Sequence, residues 1–212
     1  MYGRIIKLVV VKTLVITGGI GSGKTVVAGY LSSKGIPVYD CDGRTKALYY
    51  ENPLLVMDIE EALGESVTDE DGVLDRKKLG SLIFSDKSKL AKVEEIVHPM
   101  VYEDFVRWRD DRIKEAPFVV MESAIFLEKP LFHDLADAVI LLEAPGHLRV
   151  ERAVRRDKSS AKTVRQRMKA QKYDRKRVDA VIVNDSDILT LYERVDEVMD
   201  EIKEKLTDKD EN

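Results

Sequence analysis

One eight-residue stretch, GGIGSGKT at residues 18–25, constrains the fold of this chain more than any other feature. It fits the pattern G-x-x-x-x-G-K-[ST] in full, with the apolar run LVIT before it and the helical pattern KTVVAGYL after it. Glycines let successive backbone N–H groups surround a phosphate at a helix N-terminus, where the helix dipole favours negative charge. The stretch therefore predicts a strand, a loop and a helix that bind a nucleoside triphosphate.

The loop also predicts which residues contact the nucleotide. Lys24 is expected to reach the β- and γ-phosphates, and the Thr25 hydroxyl to bind Mg²⁺. The loop thus predicts a nucleoside triphosphate with Mg²⁺ as its ligands. The predicted nucleotide contacts in the loop are Gly19, Ile20, Gly21, Ser22, Gly23, Lys24, Thr25 and Val26.

Short apolar runs alternate with helical patterns along the rest of the chain. Five runs are typical of buried strands: LVIT (14–17), PVY (37–39), FVVM (118–121), AVILL (138–142) and AVIV (180–183). Helices are predicted at Lys24–Ser33, roughly Leu54–Leu63, Arg76–Phe84, Lys87–Val97, Met100–Lys114, His147–Arg156, Lys162–Lys172 and Ile188–Leu206. This alternation predicts a three-layer α/β fold, in which helices cover both faces of a five-stranded parallel sheet.

The long interval between the second and third strands contains several helical patterns and no convincing strand. We interpret residues 45–115 as a helical insertion that caps a substrate-binding site, within a single domain covering residues 1–212. DEDG (69–72) and Gly64 are expected to form turns inside the insertion.

A cationic segment lies near the C-terminal end. Residues 149–177 include 13 Lys or Arg and 3 acidic residues, whereas the whole chain has a net charge of −4. The segment could be a solvated helix face, a nucleic-acid site or a site for the phosphate of a small molecule. Tyr173 is its one aromatic residue, which is few for nucleic-acid binding. We predict a basic lid at about 155–177.

Composition and apolar patterning favour a cytoplasmic protein. A single cysteine in 212 residues agrees with a reducing compartment. The most apolar stretch, LVVVKTLVI, is interrupted by Lys12 and is shorter than the roughly 18 residues expected of a membrane helix. It continues into the glycine loop instead of a cleavage site, so neither a signal peptide nor membrane attachment is predicted.

The nucleotide could serve several classes of enzyme. A GTPase should contain Asn-Lys-x-Asp for guanine, which is absent, and DEDG matches Asp-x-x-Gly in spacing alone. A motor ATPase should have an apolar strand ending in Asp, but the candidate strands here end in Glu122 and Glu143. A kinase needs a carboxylate for the acceptor and arginines for the transferred group, and this chain offers both.

The acceptor carboxylates are expected in PVYDCDGR, residues 37–44. Asp40 and Asp42 follow the second strand at a spacing of two, so an extended chain would point both toward the site at the carboxyl ends of the strands. Cys41 would point the opposite way, as a small core residue. The residues alone leave open whether this stretch is catalytic or, for one of the two aspartates, a polar turn.

Five motifs in order resemble the dephospho-coenzyme A kinases. They are TGGIGSGKT, GIPVYDCDGRTK, HPM (98–100), RAVRRD (152–157) and VDAVIVN (178–184). Together they cover Leu14 to about Leu206. The chain departs from the family pattern in several places: Cys41 stands where alanine is usual, Lys46 where arginine is usual, and SAIFLE (123–128) where Pro-Leu-Leu is usual. The segment from Gln171 to AVIV is also shorter than in the family.

The resemblance implies a P-loop kinase that uses ATP to phosphorylate the ribose 3′-hydroxyl of dephospho-coenzyme A, giving coenzyme A and ADP in the last step of coenzyme A biosynthesis. Asp42 would be the base, and Asp40 would assist it or hold Mg²⁺-bound water. Lys24 and Arg152 complete the predicted catalytic group.

The resemblance also implies roles for three further residues. Arg156 would contact the nucleotide as a lid arginine, Asn184 would lie near the adenine, and His98 would contact the substrate. From the residues alone, His98-Pro99 could equally be a helix boundary and Asn184 a strand-end turn residue.

Two other functions stay open at this point. One is a nucleoside monophosphate kinase, and the other is a nucleotide-dependent nucleic-acid-binding protein that uses the basic segment. For the kinase we expect dephospho-coenzyme A as the partner, no nucleic acid, and a monomer or weak homo-oligomer.

Overall fold

The computed structural model describes residues 11–112, 116–171 and 174–211, with side chains up to residue 206. Predictions that involve the first ten residues, Lys114, Lys172 or Tyr173 lie outside the described residues. The chain divides into two compact units. The first contains the residues up to Tyr39 and those from Arg109 onward, and the second is Asp40–Trp108.

A five-stranded parallel sheet is the centre of the first unit, as predicted. Its strands are β1 (Lys12–Gly18), β2 (Val38–Asp40), β3 (Phe118–Glu122), β4 (Ala138–Glu143) and β5 (Ala180–Val183). Their order across the sheet is β2-β3-β1-β4-β5. The strand that leads into the phosphate loop is therefore central, paired with β3 on one side and β4 on the other.

Helices cover this sheet, because its central strands are buried along nearly their whole length. The helices of the first unit are α1 (Lys24–Ser33), α6 (Gly146–Asp157), α7 (Ala161–Ala170) and α8 (Ile188–Glu211). Short 3₁₀ turns occur at Phe126–Glu128, Pro130–Leu135 and Arg175–Arg177. The buried apolar core between the sheet, α1 and α8 includes Leu14, Ile16, Val27, Leu31, Ile140, Leu142, Val195, Met199 and Ile202.

The second unit is helical. Its helices are α2 (Cys41–Glu51), α3 (Pro53–Leu63), α4 (Arg76–Ser85) and α5 (Lys87–Asp110), whose last two residues belong to the first unit. Residues 69–72 form the turn expected of DEDG, which an isolated antiparallel bridge between Thr68 and Leu74 closes. Arg44 ties α2 to α5 through an ion pair with Asp104 at 3.0 Å, and it also pairs with Glu51 of its own helix at 3.0 Å.

Two helix predictions in this unit were wrong. Helix α2 was not predicted, and the two helices expected at Lys87–Val97 and Met100–Lys114 are one continuous helix, α5, with Pro99 inside it. Val93, Val97 and Val101 are buried at four-residue intervals through the proline, so one apolar stripe stabilises the whole helix.

Across the described ranges, no helix is both long and apolar enough to span a bilayer.

Candidate functional site

The phosphate loop connects the central strand to helix α1. Gly23 is the N-cap of α1, with φ 105°, and its carbonyl accepts hydrogen bonds from the amides of Val26 (3.0 Å) and Val27 (3.1 Å). Among the described residues, no side chain caps this end of the helix, and no acidic residue lies in its first turn. The helix N-terminus is therefore suited to an anionic ligand.

Two glycines of the loop are required by their surroundings. Gly21 has φ 74°, and a Cβ there would overlap the Arg149 backbone. A Cβ on Gly23 would overlap the side-chain amide of Asn184. Both backbones are in the left-handed region, so any other residue would add strain to steric overlap.

A cavity of about 310 Å³ opens beside the start of α1. Lys24, Thr25 and Val26 line it from the loop side, and Arg152 and Arg156 line it from α6. The two arginines lie one helical turn apart, so both can face the same phosphate groups. The structure thus brings the loop residues and the two predicted lid arginines to one pocket.

Asn184 lies directly after β5 and joins the loop to one of these arginines. Its Nδ2 donates to the Ser22 carbonyl at 2.8 Å, and its backbone and side-chain oxygens each accept from Arg152 at 3.2 Å. Asn184 is buried, with 6% exposure. Its amide therefore holds the loop and orients Arg152.

Arg156 is bound by its neighbour in the chain. Its Nε donates to Asp157 at 2.7 Å and its Nη2 at 3.2 Å, while Arg167 lies 3.8 Å from the same carboxylate. The hydrogen bonds from Arg156, together with the charges of Arg156 and Arg167, lower the pKa of Asp157. Asp157 therefore stays ionised at neutral pH and competes for Arg156 with any phosphate.

Two contacts to the loop were not predicted. Arg149, in the first turn of α6, donates its Nε to the Ile20 carbonyl at 2.8 Å, and the Ile20 amide donates to Gln171 Oε1 at 2.9 Å. The cationic segment was the one sequence signal that includes them. It indicated positive charge near the site, but not which side chains support the loop.

The acidic pair belongs to the second unit, and its expected geometry was wrong. Strand β2 ends at Asp40, and α2 begins at Cys41, so the chain is helical through Asp42. Asp40 is the N-cap of α2, and its Oδ1 accepts from the Gly43 amide at 3.0 Å. The chain is helical here instead of extended because an aspartate at the N-cap position accepts a hydrogen bond from an amide that would otherwise lack a partner.

Asp40 and Asp42 are nevertheless both exposed at the helix N-terminus. Acidic side chains are favoured there by the helix dipole, so both carboxylates fit the start of α2. Cys41, which lies between them in the sequence, is buried, with 8% exposure, and this confirms its interpretation as a small core residue.

His98 lies within α5, so the interpretation of His98-Pro99 as a helix boundary was wrong. Its side chain is half-buried. A contact of His98 with the substrate stays a prediction.

The residues around the loop fit a Mg²⁺ ion that takes most of its ligands from a nucleotide. The Thr25 hydroxyl is exposed at the start of α1. Within residues 11–112, 116–171 and 174–206, whose side chains are described, no three His, Cys, Asp or Glu side chains cluster so that they could hold a metal. Mg²⁺ commonly keeps waters and substrate phosphates as ligands, which suits this arrangement.

Known proteins resemble this chain over most of its length. A family model described as dephospho-CoA kinase matches residues 12–190. A dephospho-CoA kinase of Porphyromonas gingivalis is 44% identical over 159 residues, which are 75% of this chain and 77% of that protein. One from Bacteroides fragilis is 38% identical over 176 residues, 81% of this chain and 84% of that protein.

Solved structures agree on the fold. A protein of Thermus thermophilus matches with a TM-score of 0.76 and 34% identity, over 90% of this chain and 96% of its own. A shikimate kinase from Acinetobacter baumannii matches with a TM-score of 0.51 and 13% identity, over 92% of this chain and 94% of its own. The second match concerns the fold alone.

Proposed function

The chain belongs to the dephospho-CoA kinase family, and from this we propose that it transfers the γ-phosphate of ATP to the ribose 3′-hydroxyl of dephospho-coenzyme A, giving coenzyme A and ADP. The observation that carries the proposal is the pocket of about 310 Å³ in which Lys24 and Thr25 lie with Arg152 and Arg156. Such a pocket combines a phosphate cradle with the positive charge that phosphoryl transfer requires.

The chemistry proposed for this pocket is mainly positioning and charge neutralisation. The loop backbone and Lys24 hold the β- and γ-phosphates, and Arg152 and Arg156 neutralise charge on the group in transfer. Arg152 is already oriented by Asn184. Arg156 donates to Asp157 through its Nε and Nη2, so a phosphate competes with Asp157 for these donors.

Mg²⁺ is proposed as the cofactor, bound by Thr25 and the nucleotide phosphates. When bound, it would supply positive charge that neutralises the phosphates. Asp42 is proposed as the group that orients or deprotonates the acceptor hydroxyl, with Asp40 in a supporting role and His98 in contact with the acceptor. We also propose that the enzyme works in the cytoplasm, that residues 45–115 form the acceptor-binding insertion, and that residues 155–177 form a lid.

A comparison of acceptors tests the proposed function. ADP release from ATP is measured with dephospho-coenzyme A, AMP, CMP and UMP at equal concentrations, and the product is identified by its mass. We expect release to depend on dephospho-coenzyme A, with coenzyme A as the product. Faster release with a nucleoside monophosphate would instead indicate a nucleoside monophosphate kinase.

A further inference from the structure

The backbone of Ile20, in the middle of the phosphate loop, is held on both sides by side chains from distant parts of the sequence. The Arg149 Nε donates to its carbonyl at 2.8 Å, and its amide donates to the Gln171 Oε1 at 2.9 Å. Both bonds are partly buried. Arg149 lies in the first turn of α6, and Gln171 is the C-cap residue of α7.

These bonds fix the loop where its own secondary structure cannot. A residue between a strand and a helix has no ladder partner for its amide and carbonyl, and buried backbone groups need partners. Arg149 also packs its backbone against Gly21, so α6 supports the loop by contact as well as by hydrogen bond. A phosphate loop depends on aligned N–H groups, so a change at Ile20 alters the groups that bind phosphate.

We propose that Arg149 and Gln171 are positioning residues for ATP, which we call the loop clamp. They fix the peptides on both sides of Ile20 and so keep the phosphate loop in the shape that accepts the nucleotide. Because Gln171 ends α7, the clamp also makes the loop conformation depend on the position of this helix. The inference deepens the proposed function, since it assumes that ATP is the ligand.

The hydrogen bonds of Arg149 and Gln171 to backbone atoms indicate that both residues support the loop. The Nε of Arg149 is used on a backbone carbonyl, and Gln171 uses its oxygen on a backbone amide. A positioning role predicts that the exact hydrogen-bonding groups matter, whereas a general electrostatic role predicts that any positive charge at residue 149 suffices.

The test uses Arg149→Met and Gln171→Met in the full chain, because methionine keeps the length of glutamine, matches arginine as far as its Nε, and removes the hydrogen bonds of both. The matched controls are Arg155→Met on α6 and Gln166→Met on α7, which lie in the proposed lid but are exposed and do not line the pocket. The affinity for a fluorescent ATP analogue is measured by titration, and KM and kcat are measured for ATP and for dephospho-coenzyme A.

We expect each clamp variant to weaken binding of the analogue by about 5- to 10-fold, the effect of losing one hydrogen bond to the backbone. The KM for ATP should rise by a similar factor, with less change in the KM for the acceptor. The two controls should stay within about 2-fold of wild type.

A variant that combines Arg149→Met with Gln171→Met shows whether the two residues support the loop together or independently. Because both bonds hold Ile20, loss of either one already frees the loop, and the combined effect should be smaller than the product of the single effects. Arg149→Lys should restore binding only in part, because its ammonium can donate to a carbonyl but lies one bond beyond the arginine Nε and lacks the fixed planar geometry of guanidinium. Gln171→Asn, one methylene shorter, should also weaken binding, and it replaces Gln171→Met if that variant does not fold.

Unchanged affinity in both clamp variants, losses of the same size in the controls, or full rescue by Arg149→Lys would each overturn the inference. The titration needs no acceptor, so it also separates this inference from the proposed function. If the wild type binds the analogue but does not phosphorylate dephospho-coenzyme A, the proposed function fails, and the same variants still decide the role of the clamp.

Discussion

Lys24 begins helix α1 and lines the pocket that it shares with Arg152 and Arg156. Its side chain is half-buried and is not part of the apolar core. At the scale of single residues, the site thus consists of polar groups whose removal should affect the reaction more than the fold.

The Lys24→Ala variant should lose turnover and keep its fold. The lysine supplies a positive charge to the phosphates, and its loss leaves the β1–α1 packing intact. ADP release under saturating ATP and the far-ultraviolet circular dichroism spectrum check the two parts of this expectation. Wild-type turnover in a folded variant would remove Lys24 from the mechanism.

The two aspartates should respond differently to amidation. Asp42→Asn should lower kcat by roughly 10²-fold, the lower end for loss of a general base, with much less effect on ATP affinity. Asp40→Asn should cost less, because asparagine caps a helix as well as aspartate and the start of α2 is kept. Steady-state kinetics of both variants at several Mg²⁺ concentrations make the comparison.

If Asp40 mainly supports Mg²⁺, more metal should partly restore Asp40→Asn and should not restore Asp42→Asn. A severe defect in Asp40→Asn with a mild one in Asp42→Asn would reverse the assignment. Mild defects in both would mean that the pair only begins the helix.

At the scale of elements, the strands and the phosphate-loop helix could be predicted because their signals are local. Each strand is a short apolar run, and the motif fixes where β1 ends and α1 begins. The order of the strands could not be predicted, because it depends on pairing between residues more than 100 positions apart, such as Lys12 with Phe118.

The errors in predicting helices concern α2 and α5, whose sequence signals are weak or misleading. In helix α2 only Cys41 and Leu48 are buried, and the helix includes Gly43, so its sequence shows no helical repeat of apolar residues. The N-cap residue Asp40 was the best sequence signal for this helix. In α5, Pro99 predicted a break, but the buried stripe outweighed the loss of one backbone hydrogen bond.

The contacts of Arg149, Gln171 and Asn184 with the loop could not be predicted for a different reason. They depend on which backbone atoms the fold brings within 3 Å. Residue types and spacing do not carry that information.

The position of Pro99 inside α5 predicts how a substitution there changes the stability of the protein. Pro99→Ala supplies the amide that the helix lacks at this position and removes the ring from its interior, so the free energy of unfolding should rise by about 1 kcal/mol or more. Pro53→Ala is the matched control, because Pro53 is at the first position of α3, where no helical hydrogen bond is lost. Urea unfolding measures both variants, and destabilisation by Pro99→Ala would contradict this account.

Asp196 joins α8 to α1 and makes stability depend on pH. Lys34 at 2.5 Å and the Tyr30 hydroxyl at 2.7 Å donate to it, and these hydrogen bonds lower the pKa of Asp196 below its ordinary value. A lowered pKa contributes stability at neutral pH that is lost as the pH falls below about 4 and through the folded-state value. Because the groups are partly exposed, the effect should be small and sensitive to salt.

We therefore expect Asp196→Asn to lower the melting temperature by about 2 °C at pH 7. The difference from wild type should disappear in acid. Asp200→Asn, which removes a more exposed partner of Lys203 on the same helix, is the control and should change little. Thermal unfolding between pH 7 and pH 2.5 checks this prediction. A difference in melting temperature between wild type and Asp196→Asn that grows in acid would contradict it.

At the scale of the whole molecule, positive charge is concentrated where the loop is supported. Residues 149–177 contain 13 basic and 3 acidic residues in a chain of net charge −4. Arg149, Arg152 and Arg156 belong to this segment and contact the loop, Asn184 or the pocket. The phosphate binding proposed for this pocket would therefore account for part of the charge asymmetry of the chain.

ATP should stabilise the folded protein as a whole. At about 100 times the dissociation constant, binding adds about 2.7 kcal/mol, which corresponds to roughly 5–10 °C in melting temperature for a chain of this size. Adenosine at the same concentration should give a much smaller shift, since it lacks the phosphates. A thermal shift assay on wild type and Lys24→Ala tests this, and equal ATP shifts in the two would exclude binding at the loop.

The order of the sheet has a consequence for synthesis. Strand β1 is central, yet its partners β3 and β4 begin at Phe118 and Ala138. At typical translation rates of about 5–20 residues per second, β1 leaves the ribosome roughly 5–20 seconds before either neighbour exists. Both edges of this apolar strand are unpaired for that time, which is a hazard for aggregation. The nascent chain, rather than the finished enzyme, is therefore where β1 is most exposed to aggregation.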